Sequence, residues 1–119
     1  MSSPFGAANM LIIEGYGLDT MKLDFETAMK ALSHPARMEF LIWLRDPEKY
    51  FGLSAESAAH GVMAGKFEIG GMSQSAVSGH LHILLRAGFL TSRRIGQHVF
   101  YRRNEEAIAE FKGWLVDQI

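Results

Sequence analysis

The chain has 119 residues, 48% of them apolar, and a formal net charge of −1, which suits one domain with a small core. No apolar run nears the roughly 20 residues that a bilayer span needs, and no basic stretch followed by an apolar one opens the chain. Cytoplasmic residence, away from membranes, is therefore the expected default, and the absence of cysteine excludes disulfides, thiolate metal sites and thiol redox sensing.

Residues 1–20 read as an N-terminal extension, flexible or weakly docked, with an apolar patch at Met10–Ile13. Whether they are ordered stays open. Residues 21–119 read as the folded domain. A first helix is expected over Leu23–Leu32, because Phe25, Ala28, Met29 and Leu32 repeat at helical spacing and Asp24 can cap its start. Ser33 or His34 caps a second helix, Ala36–Arg45, with Pro35 in its first turn and Asp46–Pro47 as its stop.

A loop is expected to about Leu53, then a helix somewhere in Val62–Ile69, with Ala55–His60 left undecided. Gly70–Gly71 turns the chain. Ser73 caps a helix to about Ala87, and Gly88 ends it. Its apolar face is Val77, Leu81, Leu84 and Leu85. Opposite stand Gln74, Ser78, His82 and Arg86, stepping by four, flanked by Ser75 and Gly79. Phe89–Ile95 and His98–Arg103 read as strands around Gly96–Gln97, where glycine at the first central position suits a type II′ hairpin. Asn104 caps a last helix with Glu105 and Glu106 in its first turn and an apolar stripe of Ile108, Phe111, Leu115 and Ile119.

Charge is segregated along this order. Ile69–Asn104 holds Arg86, Arg93, Arg94, Arg102 and Arg103 and no carboxylate, whereas the rest of the chain holds all 13 Asp and Glu. A short helix, a glycine turn, a helix with small polar residues at its start and a basic two-stranded ribbon form a winged helix-turn-helix. The expected fold is mainly α with a small β-hairpin wing, in the order α-α-α-α-β-β-α. Such a helix enters the major groove of double-stranded DNA with its N-terminal residues at base edges. Gln74 suits bidentate pairing with adenine, and Ser73, Ser75, Ser78 and Gly79 allow close approach. His82 and Arg86 extend that face. Arg93, Arg94, Gln97, His98 and Arg102 of the wing suit phosphates or the minor groove. A carboxylate on these surfaces would face phosphate, which accounts for the acid-free third of the chain.

The stretches KALSHPARMEFLIWL, MSQSAVSGHLHILLRAGFL and RRIGQHVFYRRN resemble the ArsR family of bacterial winged-helix repressors, over about residues 22–115. The resemblance implies a homodimer packed through its first and last helices, an inverted-repeat operator, and an effector whose binding releases DNA. The family's recognition positions fall on Gln74, Ser75, Ser78, Gly79 and His82. Gly79 departs from the family, which often carries a long polar residue there. The family's thiolate metal site has no counterpart, since Val62 and Met63 stand near that place, and the last helix has no histidine. The segment between the second helix and the turn is longer than in compact metal sensors. For the dimer that the resemblance implies, Phe25, Met29, Leu32, Ile108, Phe111 and Leu115 are expected to help form the interface.

Other chemistries find weaker support. His80 and His82 sit two apart on a helix and point about 200° from one another, so they cannot share an ion. His34, His60 and His98 are isolated in sequence. The seven methionines are scattered and read as packing, with Met63 kept as one residue to watch. Trp43, Tyr50, Phe51, Phe67 and Trp114 read as core and interface rather than as a pocket. No nucleophile elbow, phosphate loop or metal triad points to an enzyme, and no cofactor is expected. A small-molecule effector stays open. The alternative function is a winged-helix protein-interaction module without specific DNA binding.

Overall fold

The computed structural model describes residues 23–119. The expectations for residues 1–20, including the Met10–Ile13 patch, lie outside the described residues. Helix α1 is Phe25–Ala31 and α2 is Pro35–Arg45. Both start where local chemistry places them. The Asp24 side chain accepts from Glu26 N–H at 3.2 Å, and His34 Nδ1 accepts from Ala36 N–H at 3.1 Å. Pro35 takes the first position of α2, where it has no hydrogen bond to break.

The segment after α2 is more structured than a loop. Asp46 ends α2 and also caps a short helix, α3 (Pro47–Phe51), so the same Asp-Pro pair stops one helix and starts another. A second short helix, α4 (Ala55–Ala59), begins at Ser54, whose hydroxyl accepts from Ser57 N–H. The helix expected within Val62–Ile69 is shorter at its start and of a different kind. Val62–Met63 form strand β1, and Ala64–Gly70 form a 3₁₀ helix. β1 exists because Val62 and Met63 pair with Tyr101 and Phe100, nearly forty residues further along the chain. Gly61 leads into it with φ +101°, and a Cβ there would stand 3.0 Å from the Tyr101 carbonyl oxygen and Arg102 Cγ. Only glycine lets the chain approach that closely.

Helix α5 (Gln74–Arg86) follows the Gly70–Gly71 turn. It ends in a paired reversal: Gly88 N–H donates to Leu85 O, and Phe89 N–H donates to Leu84 O. Strands β2 (Leu90–Ile95) and β3 (His98–Arg103) form the hairpin, and α6 (Glu105–Gln118) closes the order. The sheet is antiparallel, ordered β1-β3-β2. The expected α-rich winged helix-turn-helix is therefore present, with a third strand added to its wing.

The core lies between the helices and the inner face of the sheet. Phe40, Phe67, Phe89, Leu81, Leu84, Val62 and Val77 are its largest fully buried side chains. The aromatics read as core behave as such. Phe67 packs against Phe40 at 4.7 Å and Phe51 at 4.9 Å, and Trp43 meets Phe51 edge-on at 6.1 Å. These rings anchor the 3₁₀ helix to α2 and α3, and so set where α5 begins.

Candidate nucleic-acid interface

The site is built on α5. Ser73 holds its first turn, its hydroxyl accepting from Ala76 N–H at 3.1 Å. Val77, Leu81 and Leu84 are buried, which fixes the helix about its axis. That rotation exposes Gln74, Ser75, Ser78, Gly79, His82 and Arg86 together, as their spacing predicted. His82 is exposed while His80 turns inward, in agreement with their 200° separation. A Cβ at Gly79 would meet nothing within 4 Å, so packing does not require glycine there. One exposed residue escaped the sequence reading. Ile83 is 41% exposed beside His82, and its position one step outside the apolar face was the available signal.

No acid stands in the first turn of α5. The amide groups at a helix start carry partial positive charge, which an acidic side chain would neutralise. Here it is left to the surroundings.

The wing's register divides its arginines. Thr91 pairs with Arg102, Arg93 with Phe100, and Arg94 with Val99. Side chains alternate along a strand, so Arg93 and Arg102 share one face of the sheet and Arg94 lies on the other. The sequence reading treated them as one set. Arg94, Gln97 and His98 are exposed at the tip, with Ile95 beside them. Gly96 has φ +63°, and among the described residues only glycines take positive φ, so Gln97 does not, as the expected type II′ turn requires. Arg93 and Arg102 are half-buried. Burial, followed by the charge of Arg93, lowers the pKa of the Arg102 guanidinium. The two arginines thus share a face of the sheet, close enough for the charge of Arg93 to act on Arg102.

Arg103 belongs to the fold. Its Nε and Nη2 donate to Glu105 at 2.8 and 3.2 Å, and its Nη1 donates to Leu41 O at 2.9 Å. The charge of Arg103 is therefore matched by a carboxylate just outside the acid-free run, and its hydrogen bond holds Glu105 below the usual carboxylate range.

The expected dimer residues divide into three groups. Ile108 and Phe111 are buried inside the protomer, where Phe111 meets Phe89 edge-on at 5.4 Å. They are corrected from surface to core, because a side chain enclosed by its own chain has no area to offer a partner. Phe25, Leu32 and Leu115 are partly buried, and Phe25 stacks on Trp114 at 4.6 Å. Met29 remains half exposed, and Val116 and Ile119 are 76% and 95% exposed.

Together, a 3₁₀ helix, a glycine turn, a helix with an acid-free outward face and a three-stranded wing define a winged helix-turn-helix protein. No family model matches the chain. It is, however, 34% identical over 96 residues to the Bacillus subtilis (strain 168) protein described as "Uncharacterized HTH-type transcriptional regulator YbzH", covering 76% of this chain and 93% of that protein. The chain belongs to the helix-turn-helix-type transcriptional regulators. Among solved structures, NolR from Sinorhizobium fredii superposes with a TM-score of 0.52 at 20% identity, over 87% of this chain and 89% of NolR. HlyU from Vibrio cholerae N16961 is similar at a TM-score of 0.49 and 25% identity, over 72% and 82% of the two chains. Among the described residues, no helix is long and apolar enough to cross a membrane, and no three His, Asp or Glu side chains stand close enough to hold a metal ion.

Proposed function

We propose that the chain is a homodimeric, ArsR-type repressor that binds an inverted-repeat operator and releases it on binding an effector. The observation that carries this reading is the outward face of α5. Seven residues are exposed there, none is acidic, and the helix start is uncapped by carboxylate charge. Gln74 and Ser75 stand nearest the N-terminal end, where a helix in the major groove reaches base edges. Ser78, Gly79 and His82 continue the readout, and Ile83 adds an apolar contact of the kind that meets a thymine methyl. Ser73, Arg86, Arg93, Arg94, Gln97, His98 and Arg102 hold phosphates or the adjacent groove.

Two-fold symmetry is supported by the apolar surface that α1 and α6 leave open. Met29, Val116 and Ile119, with the exposed parts of Phe25, Leu32 and Leu115, form the contact between two copies. An inverted repeat then places the two α5 helices about one DNA turn apart. The absence of cysteine directs the effector away from thiolate chemistry, toward an organic ligand or a non-thiol contact.

The test is binding to the DNA upstream of the protein's own gene, against scrambled duplex, over a salt series. Specific binding tighter by about 10³-fold or more, with a steep salt slope, is expected. Equal weak binding to both, together with weak binding to every duplex selected from a random pool, would remove the repressor reading.

A further inference from the structure

The sequence reading left His34 isolated and gave Arg37 no task, but the fold brings both onto the inner side of α5. The two imidazole rings lie 4.4 Å apart, and the edge of Phe40 closes a third side of His80 at 5.9 Å. Arg37 Nη1 stands 3.1 Å from His80 Nδ1. The same guanidinium reaches the end of α1, where its Nε donates to Ala31 O at 2.6 Å and its Nη2 to Lys30 O at 3.4 Å. One side chain from α2 thus reaches two carbonyls at the C-terminus of α1, of which Lys30 O also accepts from Ser33, and a ring nitrogen in the middle of α5.

This geometry sets the protonation state of His80. A guanidinium can only donate, so His80 Nδ1 must accept and the proton of the neutral ring sits on Nε2. A second proton on the ring would remove the acceptor and place imidazolium against guanidinium. Burial first, then the charges of His34 and Arg37, lower the His80 pKa from its ordinary value of 6.5. Lys66 and Glu68, the charged groups of the 3₁₀ helix that also packs on α5, are exposed. A depressed histidine pKa stabilises the folded state above the unfolded value and loses that contribution as pH falls through the folded value.

We propose that Arg37 and His80 are positioning residues that lock α5 to the end of α1, so that presentation of the DNA-facing side chains depends on a neutral His80. The proposal rests on the DNA-binding reading of α5. Neither residue touches DNA: Arg37 is engaged by α1 and His80 faces the core. They act through the angle of α5, and they join it to α1, the helix whose outer residue Met29 lies on the surface assigned to the second copy.

The experiment uses a duplex selected from a random pool on the wild-type protein, with binding followed by anisotropy. Two variants are compared with wild type at a pH of about 7.5 and about 4.5, a window whose lower end lies well below the ordinary histidine pKa because His80 is lowered from it. Asparagine in His80→Asn can present its amide oxygen where Nδ1 stood and does not titrate. Glutamine in Arg37→Gln cannot bridge the two helices. At the higher pH, His80→Asn is expected within about twofold of wild type, and Arg37→Gln weaker by about tenfold, a typical coupling between distinct sites. The salt slope of Arg37→Gln stays that of wild type, because no phosphate contact is removed. At the lower pH, wild type loses affinity relative to His80→Asn by several-fold. That ratio cancels every effect of pH on DNA binding that the two proteins share.

A flat wild-type to His80→Asn ratio, or an Arg37→Gln protein with unchanged affinity, overturns the positioning role alone. A reduced salt slope in Arg37→Gln also overturns it, by making Arg37 a phosphate contact. Failure of the selection to enrich any duplex overturns the DNA reading and the proposal with it. Should Arg37→Gln fail to fold, the ratio between wild type and His80→Asn still decides.

Discussion

Helices α5 and α6 are built alike and finished differently. Each starts on a side-chain cap, Ser73 for α5 and Asn104 for α6, and each accepted bond is close to 3 Å. Each buries three residues on one side, Val77, Leu81 and Leu84 in α5 and Ala107, Ile108 and Phe111 in α6. Their outward sides diverge. The first turn of α6 carries Glu105 and Glu106, which the helix dipole favours, and the first turn of α5 carries no acid. An acid at a helix start contributes about 0.3–1 kcal/mol, so α5 forgoes a stabilisation that α6 uses. Toward its C-terminal end α6 exposes Val116 and Ile119, whereas α5 exposes mainly small polar and basic side chains. The contrast supports the proposed roles, in which α5 meets an anion and α6 an apolar partner.

The largest effects should erase the contrast by striking the shared inner sides. Leu81→Ala and Phe111→Ala are each expected to cost about 2–5 kcal/mol, because a cavity replaces close-packed atoms. Chemical denaturation checks this, and a loss below about 1 kcal/mol at either site would mean that the helix is not seated as described.

Next come the outward side chains of α5 and the wing. Gln74→Ala should cost about 1–3 kcal/mol of binding, concentrated at one base pair. Arg94→Ala should instead weaken all sequences alike and lower the salt slope by about one. Competition among single-base variants of a selected duplex separates the two. A uniform effect from Gln74 and a base-specific one from Arg94 would exchange their roles.

Cap removal is smaller and sharpens the likeness between the helices. Ser73→Ala and Asn104→Ala should each lower stability by about 0.5–2 kcal/mol. Only Ser73→Ala should also disturb DNA binding, since its helix is the one proposed to meet DNA. The smallest effect on stability is expected from Val116→Asp, within about ±0.5 kcal/mol, because Val116 is exposed. Sedimentation should nonetheless show a shift toward monomer at micromolar concentration. An unchanged dimer would move the contact away from α6.

Most of the geometry of the candidate face was legible in the sequence. The span of α5, its cap, its exposed face and the two-residue hairpin turn all follow from local rules: side-chain spacing, a hydroxyl near free amides, a glycine at positive φ. Each concerns residues a few positions apart, so the pattern is printed in the chain itself. What local rules could not supply were pairings between distant segments and depth. Val62–Met63 became a strand only because β3 lies beside them. Arg94 parted from Arg93 and Arg102 only once register was set by strand pairing. Ile108 and Phe111 read as interface because periodicity reports an apolar face without saying what covers it, and Phe89 of the protomer covers Phe111. Arg37 and His80 are 43 positions apart, and their contact exists only after α2 has packed on α5. The sequence by itself determined which residues α5 turns outward, because helical spacing and one cap decide that within the segment. The tertiary structure decided what holds α5 in place and which arginines stand together, because those depend on neighbours that only folding brings near.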